Sequence, residues 1–291
     1  MKHKTTVSLV LGGGGARGLA HIGAIQWLTE NNYTIKSIAG TSIGALVGGI
    51  YASGKLDAYT EWVSALDKMD ILRLLDPAFG RSGFFKGDRI IALLRELIGD
   101  SSIEDLPLAF TAVATDLETG KEVWLRRGKL FDAIRASIGI PLIFTPFQYG
   151  HRRLLDGGLV NPVPIAPTLN DHTDLTIAIS LSGRDEKQCD PPVRVAEPSE
   201  NPYRAQIESF IQSLQSSAPV ALPAPGMLSI ALKSMDTMQS TIARLKLAAY
   251  SPDVLVEIPH NACQFHEFWR AKELIAFGRE RIAQTFLQMK P

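Results

Sequence analysis

Gly40-Thr41-Ser42-Ile43-Gly44 is the stretch from which the rest of the chain is read. It fits G-x-S-x-G, a pattern that sets a serine on a sharp strand-to-helix turn with its hydroxyl clear of the backbone. Glycine on both sides is a steric need, because such a strained turn leaves no room for a Cβ beside the serine. The flanks agree: residues 35–39 are short and β-branched like a strand, and residues 45–52 carry the small residues of a closely packed helix. An ordinary glycine-rich turn satisfies the same five residues, so the pattern needs independent support.

That support begins upstream. Residues 6–11 form an apolar strand, residues 12–18 a glycine loop, and residues 19–31 a helix with Ile22, Ile25, Trp27 and Leu28 at helical spacing. Strand, helix, strand, helix implies two parallel strands joined by a right-handed crossover. Their nearly unbroken apolar character suits a sheet covered on both faces. The expected fold class is α/β, with a mostly parallel central sheet and helices on both sides in three α/β/α layers.

The loop Gly12-Gly13-Gly14-Gly15-Ala16-Arg17-Gly18 also satisfies G-x-G-x-x-G. A dinucleotide site would need an acidic residue at the end of the second strand. That position holds Ala39-Gly40-Thr41-Ser42 instead, and no Gly-Lys-Ser/Thr phosphate loop is present. Successive amides before a helix still make a site for negative charge. In a serine hydrolase that charge is the oxyanion of the tetrahedral intermediate, for which one donor is worth about 3–4 kcal/mol. Gly13, Gly14 and Gly15 are the expected donors. Arg17 reads equally well as a brace for the loop or as a contact for an anionic head group.

A serine nucleophile needs a base. None of the six histidines, at positions 3, 21, 151, 172, 260 and 266, sits in a glycine-framed loop. His21 lies one turn into the first helix and reads as a packing or hydrogen-bonding residue. His172 and His260 stand near strand ends, which keeps a histidine triad open. Asp156, in Leu154-Leu155-Asp156-Gly157-Gly158, is the better candidate, since a carboxylate freed by two glycines at a strand end can reach a neighbouring strand end. Asp116 is the rival acid, but Asp116-Leu117-Glu118-Thr119-Gly120 reads as a hairpin loop.

Further along, residues 55–105 are mainly helical, broken near 76–80, and Asp88 is expected to cap a helix over 88–98. Strands are expected at 108–114, 121–125, 152–155, 175–181 and 254–258, with a short helix at 131–138. Residues 184–202 are polar and proline-rich. Tyr203, Ile207, Phe210 and Leu214 form an apolar stripe behind an expected cap at Asn201-Pro202, and 216–226 is again proline-rich. Leu228, Ala231, Leu232, Met235, Met238, Ile242 and Leu245 mark one face of a longer helix, and Phe268, Ile275, Ile282 and Phe286 a face of the last one. The 291 residues are 45% hydrophobic and 21% charged, enough for a sizeable core. Thirty basic residues balance thirty acidic ones, so no net charge draws the chain to nucleic acid. Two cysteines, Cys189 and Cys263, form neither a metal spacing nor a disulfide framework. A cytoplasmic protein is expected, peripheral to a membrane at most.

Taken together, these motifs resemble the bacterial patatin-like phospholipase family. The resemblance rests on the glycine loop at 12–18, the Gly40–Gly44 elbow, Ala133-Ile134-Arg135-Ala136-Ser137-Ile138-Gly139-Ile140-Pro141, Asp156-Gly157-Gly158 and Asn161-Pro162-Val163-Pro164. It covers residues 5–183, and residues 252–289 resemble the end of the small bacterial members. The resemblance implies a single hydrolase domain over 1–291, with the motifs in 5–183 and a closing helix-strand-helix at 227–291; for 184–226 no family pattern carries over, and its stripe between proline-rich flanks reads as a lid or membrane-touching element or as a core helix. It implies a Ser42–Asp156 dyad without histidine, supported by Arg17, Gly18, Gly40, Gly44, Gly157 and Gly158. It further implies hydrolysis of fatty-acyl esters of phospholipids or lysophospholipids with no metal or cofactor. The alternative is a regulatory or adaptor protein on the same scaffold, binding a protein partner through the stripes at 203–214 and 228–245.

Overall fold

The computed structural model describes residues 4–78, 83–187, 203, 207, 209 and 225–289. The chain runs β1 (Thr5–Leu11), α1 (Ala20–Glu30), β2 (Tyr33–Thr41), α2 (Ile43–Ala52), α3 (Leu56–Ala65), α4 (Lys68–Leu74), β3 (Gly83–Phe85) and α5 (Asp88–Ile98). It continues with β4 (Ala109–Asp116), β5 (Glu122–Leu125), α6 (Leu130–Ser137), β6 (Leu142–Phe144), β7 (Phe147–Tyr149), β8 (Arg152–Asp156) and β9 (Leu175–Gly183). After the 184–224 region come α7 (Pro225–Ala249), β10 (Val254–Pro259) and α8 (Ala271–Gln288).

The main sheet has the order β10-β9-β1-β2-β4-β8-β7, with β5 paired to β4. The five strands from β10 to β4 are parallel, and β8, β7 and β5 add antiparallel pairs. β3 and β6 make a separate parallel pair. Alternation along β1 shows how the layers form. Val7, Leu9 and Leu11 enter a large core with Ile22 and Ile25 of α1, Val47 and Ile50 of α2, and Leu274 and Ile282 of α8. Val10 points the other way, into a smaller core with Ala178, Val163, Ile165 and Ala243 of α7. Both faces are thus covered, as the apolar strands require, and each fully buried Leu or Ile contributes roughly 1.5–3 kcal/mol.

Several local expectations change. Asp88 does not cap α5. The cap position is Gly87, with φ 76°, and the carboxylate that serves the helix end belongs to Asp76. It accepts the amides of Gly87, Asp88 and Arg89 at 2.6, 3.0 and 3.3 Å. β3, β6 and β7 have three residues each, too few to show a period-2 pattern.

The apolar stripe expected on α7 is partly covered, with Leu228, Ala231, Leu232, Met235 and Ile242 half-buried. Met238 and Leu245 are exposed, while Asp236, Gln239, Ala243 and Lys246 turn inward at helical spacing. Three of those four are polar, and two of them, Asp236 and Gln239, have partners beside the glycine motifs, so hydropathy alone does not mark every inward residue. The expected lid at 184–226 lies outside the described residues apart from 184–187, 203, 207, 209 and 225–226. Of its stripe, Ile207 is buried and Tyr203 packs on the main core. Among the described residues, no helix is long and apolar enough to cross a membrane.

Candidate active site

Ser42 and Asp156 meet because both are delivered to β4. Thr41, the last residue of β2, pairs with Val113. Asp156, the last residue of β8, pairs with the next residue, Ala114. One parallel and one antiparallel strand therefore end on consecutive positions of β4, and the residues that follow turn into the same space.

Ser42 adopts φ 55° and ψ −125°, a conformation that L residues rarely hold. The glycines around it are needed for close approach. A Cβ on Gly44 would lie 2.1 Å from the Leu11 carbonyl oxygen, and one on Gly40 would lie 2.4 Å from that of Gly44. The strained turn is held by its neighbours. The Ser42 amide donates to Ser137 Oγ at 2.9 Å, and Ser137 Oγ donates to the Val113 carbonyl at 2.6 Å. Thr41 Oγ1 donates to the Asn161 carbonyl at 2.8 Å, tying the elbow to the segment after Asp156. α2 starts directly behind Ser42, so the positive end of its dipole faces the hydroxyl.

Asp156 is 2% exposed and Ser42 is 5% exposed. The Asp156 amide donates to the Gly139 carbonyl, and its own carbonyl accepts Thr115 Oγ1, both at 2.9 Å. Oδ1 accepts the Gly158 amide at 2.7 Å. Burial pushes the carboxyl up from 3.8 to about 6, against the opposing pull of the nearby Ser42 hydroxyl and the Gly158 amide. Oδ2 has no aligned donor among the described residues, so the serine stands beside the carboxylate without a well-directed hydrogen bond to it. Such contacts commonly tighten only when substrate is bound. Gly157 lies on the Val113 carbonyl, where a Cβ would come within 2.2 Å, and Gln239 of α7 packs over Gly158.

The glycine loop lies against the serine: a Cβ on Gly13 would be 3.3 Å from Ser42 Cβ, and one on Gly18 would be 2.2 Å from the Ile43 side chain. The expected donor set needs one correction. The Gly13 amide donates to the Pro162 carbonyl at 2.9 Å and is already engaged. The Gly14 and Gly15 amides have no acceptor among the described residues. Gly14, with φ 159°, and Gly15, with φ 61°, form a bend open to glycine.

Two side chains hold this bend. His21 is fully buried, and burial lowers its pKa to about 4 against the opposing hydrogen bond to Gly12. The ring is therefore neutral, and Nε2–H donates to the Gly12 carbonyl at 2.8 Å. Arg17 is the brace rather than an open head-group contact. Buried at 3% exposure, it reaches the Gly14 carbonyl, the His260 carbonyl and Asp236 of α7.

Asp116 serves its turn, accepting the Glu118 and Thr119 amides at 3.0 Å. Among the described residues no histidine hydrogen-bonds Ser42: His21 serves Gly12, and His260 meets Asp236. No group of three His, Cys, Asp or Glu residues converges as a metal site among them. Ser137, His21, Asp236 and Gln239 were not read from the sequence as site residues. Ser137 sits inside the 133–141 motif, which was a usable signal. His21 bonds a carbonyl in the neighbouring glycine loop, whereas Asp236 and Gln239 meet partners far away in the sequence from polar positions on α7.

Comparison with known proteins bears on the same residues. The Patatin-like phospholipase family profile matches residues 9–169, from the first strand past the Asp156 loop. An uncharacterized NTE family protein of Mycobacterium tuberculosis is 38% identical over 96% of this chain and 91% of its own length. The neuropathy target esterase sws of Drosophila melanogaster is 32% identical over 62% of this chain, a region that makes up 13% of that protein. Among solved structures, VipD from Legionella pneumophila matches 98% of this chain and 67% of its own with a TM-score of 0.50 and 14% identity, a likeness of fold. These matches support lipid hydrolase activity in general and do not favour the adaptor alternative. With the profile spanning more than half of the chain and a relative aligned over nearly all of it, the chain belongs to the patatin-like phospholipase family.

Proposed function

We propose that the protein is a serine esterase that cleaves fatty-acyl esters of phospholipids or lysophospholipids through Ser42 and Asp156. The observation that carries this reading is the strained Ser42 elbow placed beside a buried carboxylate whose pKa is raised to about 6. A free aspartate is too weak a base to assist a hydroxyl near neutral pH, and burial moves it toward the useful range. Ser42 Oγ attacks the ester carbonyl carbon and its proton passes to Asp156. The tetrahedral oxyanion is met by the Gly14 and Gly15 amides. The C–O bond to the alcohol then breaks, and Asp156 returns the proton to the departing alkoxide. Water attacks the acyl-enzyme with Asp156 accepting its proton, the fatty acid leaves, and Ser42 regains its hydrogen. The substrate reaches the protein at a lipid surface or as a dispersed lipid.

The test is hydrolysis of a nitrophenyl acyl ester and of defined phospholipids and lysophospholipids. Ser42→Ala and Asp156→Asn are each expected to lose at least about 10³-fold in kcat. The wild type is expected to react with a fluorophosphonate at Ser42 and the Ser42→Ala variant not to. Near-normal turnover by either variant would sink the proposal.

A further inference from the structure

The peptide between Gly14 and Gly15 is the least constrained kind a chain can contain, since the torsions on both sides of it belong to glycine. It joins the Gly14 carbonyl to the Gly15 amide, and no peptide among the described residues is cis, so the two point in opposite directions. Whatever holds the carbonyl therefore aims the amide. The carbonyl accepts Arg17 Nε at 3.1 Å. The other two arms of that guanidinium are also fixed. Nη1 donates to the His260 carbonyl and Nη2 to Asp236 Oδ1, each at 2.9 Å. Asp236 lies on α7, which covers the opposite face of the sheet from α1 and α2 and packs Gln239 against Gly158. The remaining Asp236 oxygen meets His260 Nε2, so the carboxylate is held on both sides.

We propose that Asp236 is a positioning residue for the hydrolytic reaction, holding Arg17 so that its Nε pins the Gly14–Gly15 peptide with the Gly15 amide available to the oxyanion. This rests on the esterase reading above. Without Asp236 the guanidinium would keep two neutral carbonyl acceptors and lose its charged one, whereas anchoring at all three planar positions fixes its orientation. The charge-assisted pair with Asp236 is the strongest of the three contacts and is largely shielded from water. α7 thereby becomes part of the active site without touching the reacting atoms.

The experiment measures kcat, KM and the inhibition constant of an acyl trifluoromethyl ketone, whose adduct on Ser42 carries a tetrahedral oxyanion. Asp236→Asn is expected to lower kcat about 10- to 100-fold, a part of what loss of one oxyanion donor costs. KM is expected to change less than about 2-fold, and ketone affinity to fall in parallel with kcat. Asp236→Glu is expected to recover most of the loss, because the charge is kept. Arg17→Lys, whose point charge cannot reach all three acceptors, is expected to match Asp236→Asn, and the double variant to be no worse than either single one. Arg17→Lys reads the same linkage from its other end, so the test stands even where Asp236→Asn does not fold. Unchanged kcat in Asp236→Asn overturns the inference, as do an unchanged ketone constant and losses that multiply in the double variant. Failure of the esterase reading would show differently, as a wild type that neither turns over esters nor binds the ketone.

Discussion

In the proposed mechanism Asp156 must be ionised when Ser42 attacks, and its burial sets the pH at which that is possible. With the carboxyl raised to about 6, the base is mostly protonated at pH 5 and mostly ionised at pH 7. kcat/KM should rise with pH and level off above an inflection near 6, well above the range of an ordinary aspartate. His21 cannot produce that limb, because its neutral ring is committed to Gly12 and its pKa lies near 4. A pH–rate profile on a soluble acyl ester, whose own ionisation is outside the range, checks this. An acid limb centred near 4 would mean that Asp156 is solvated during turnover or is not the base. In the proposed mechanism the same burial makes a histidine unnecessary. The environment tunes a carboxylate to the task that an imidazole performs unperturbed.

At the scale of elements, the site depends on where strands end. β2 and β8 reach adjacent positions on β4, and Ser137 at the end of α6 fastens them by bonding the Ser42 amide and the Val113 carbonyl. Ser137→Ala would leave a buried donor and weaken the hold on a buried carbonyl, at a cost of about 1–3 kcal/mol. It would also loosen the elbow, and a misplaced nucleophile can lose up to about 10²-fold in rate. The expected outcome is a lower urea midpoint together with a kcat reduced about 10-fold or more. A normal kcat in a destabilised Ser137→Ala protein would show that the elbow holds its geometry alone. The strand ends were legible in the sequence because their signals are local: a glycine-framed serine, a glycine-freed aspartate, and apolar runs before both. What escaped reading was non-local. Asp76 caps α5 from 11 to 13 residues away, and nothing around Asp88 could reveal it. α7 was placed correctly as a helix, but the inward contacts of Asp236 and Gln239 beside its apolar stripe were not legible. An apolar count treats such residues as solvent-facing, whereas here the glycine loop and the Asp156 turn supply their partners.

Across the whole molecule, two buried groups at this site oppose each other in their response to acid. His21 is held neutral with a pKa near 4 in the folded state against 6.5 in the unfolded chain. The unfolded state therefore binds the extra proton, and stability is lost as pH falls from about 6.5 toward 4. Asp156 runs the other way. Its folded pKa of about 6 lies above the unfolded 3.8, so the folded state binds the proton first, and stability is gained as pH falls from about 6 toward 3.8. At about 1.36 kcal/mol per pH unit, each contribution is on the order of 3 kcal/mol, and in the wild type they largely cancel. Removing one exposes the other. Asp156→Asn should be more stable than wild type at pH 7, by up to roughly 3 kcal/mol, and should lose that advantage on the way to pH 4. His21→Gln, which keeps an amide donor near the Gly12 carbonyl but does not titrate, should instead become more stable relative to wild type as the pH falls. Thermal melts of the three proteins between pH 4 and 7.5 measure both slopes. Parallel curves for wild type and Asp156→Asn would mean that the carboxyl titrates as an exposed group, which would remove the physical basis for its use as a base. Divergence in the stated directions would tie the cost in stability to the chemistry, since the burial that destabilises ionised Asp156 in the resting fold is what raises its proton affinity toward neutrality.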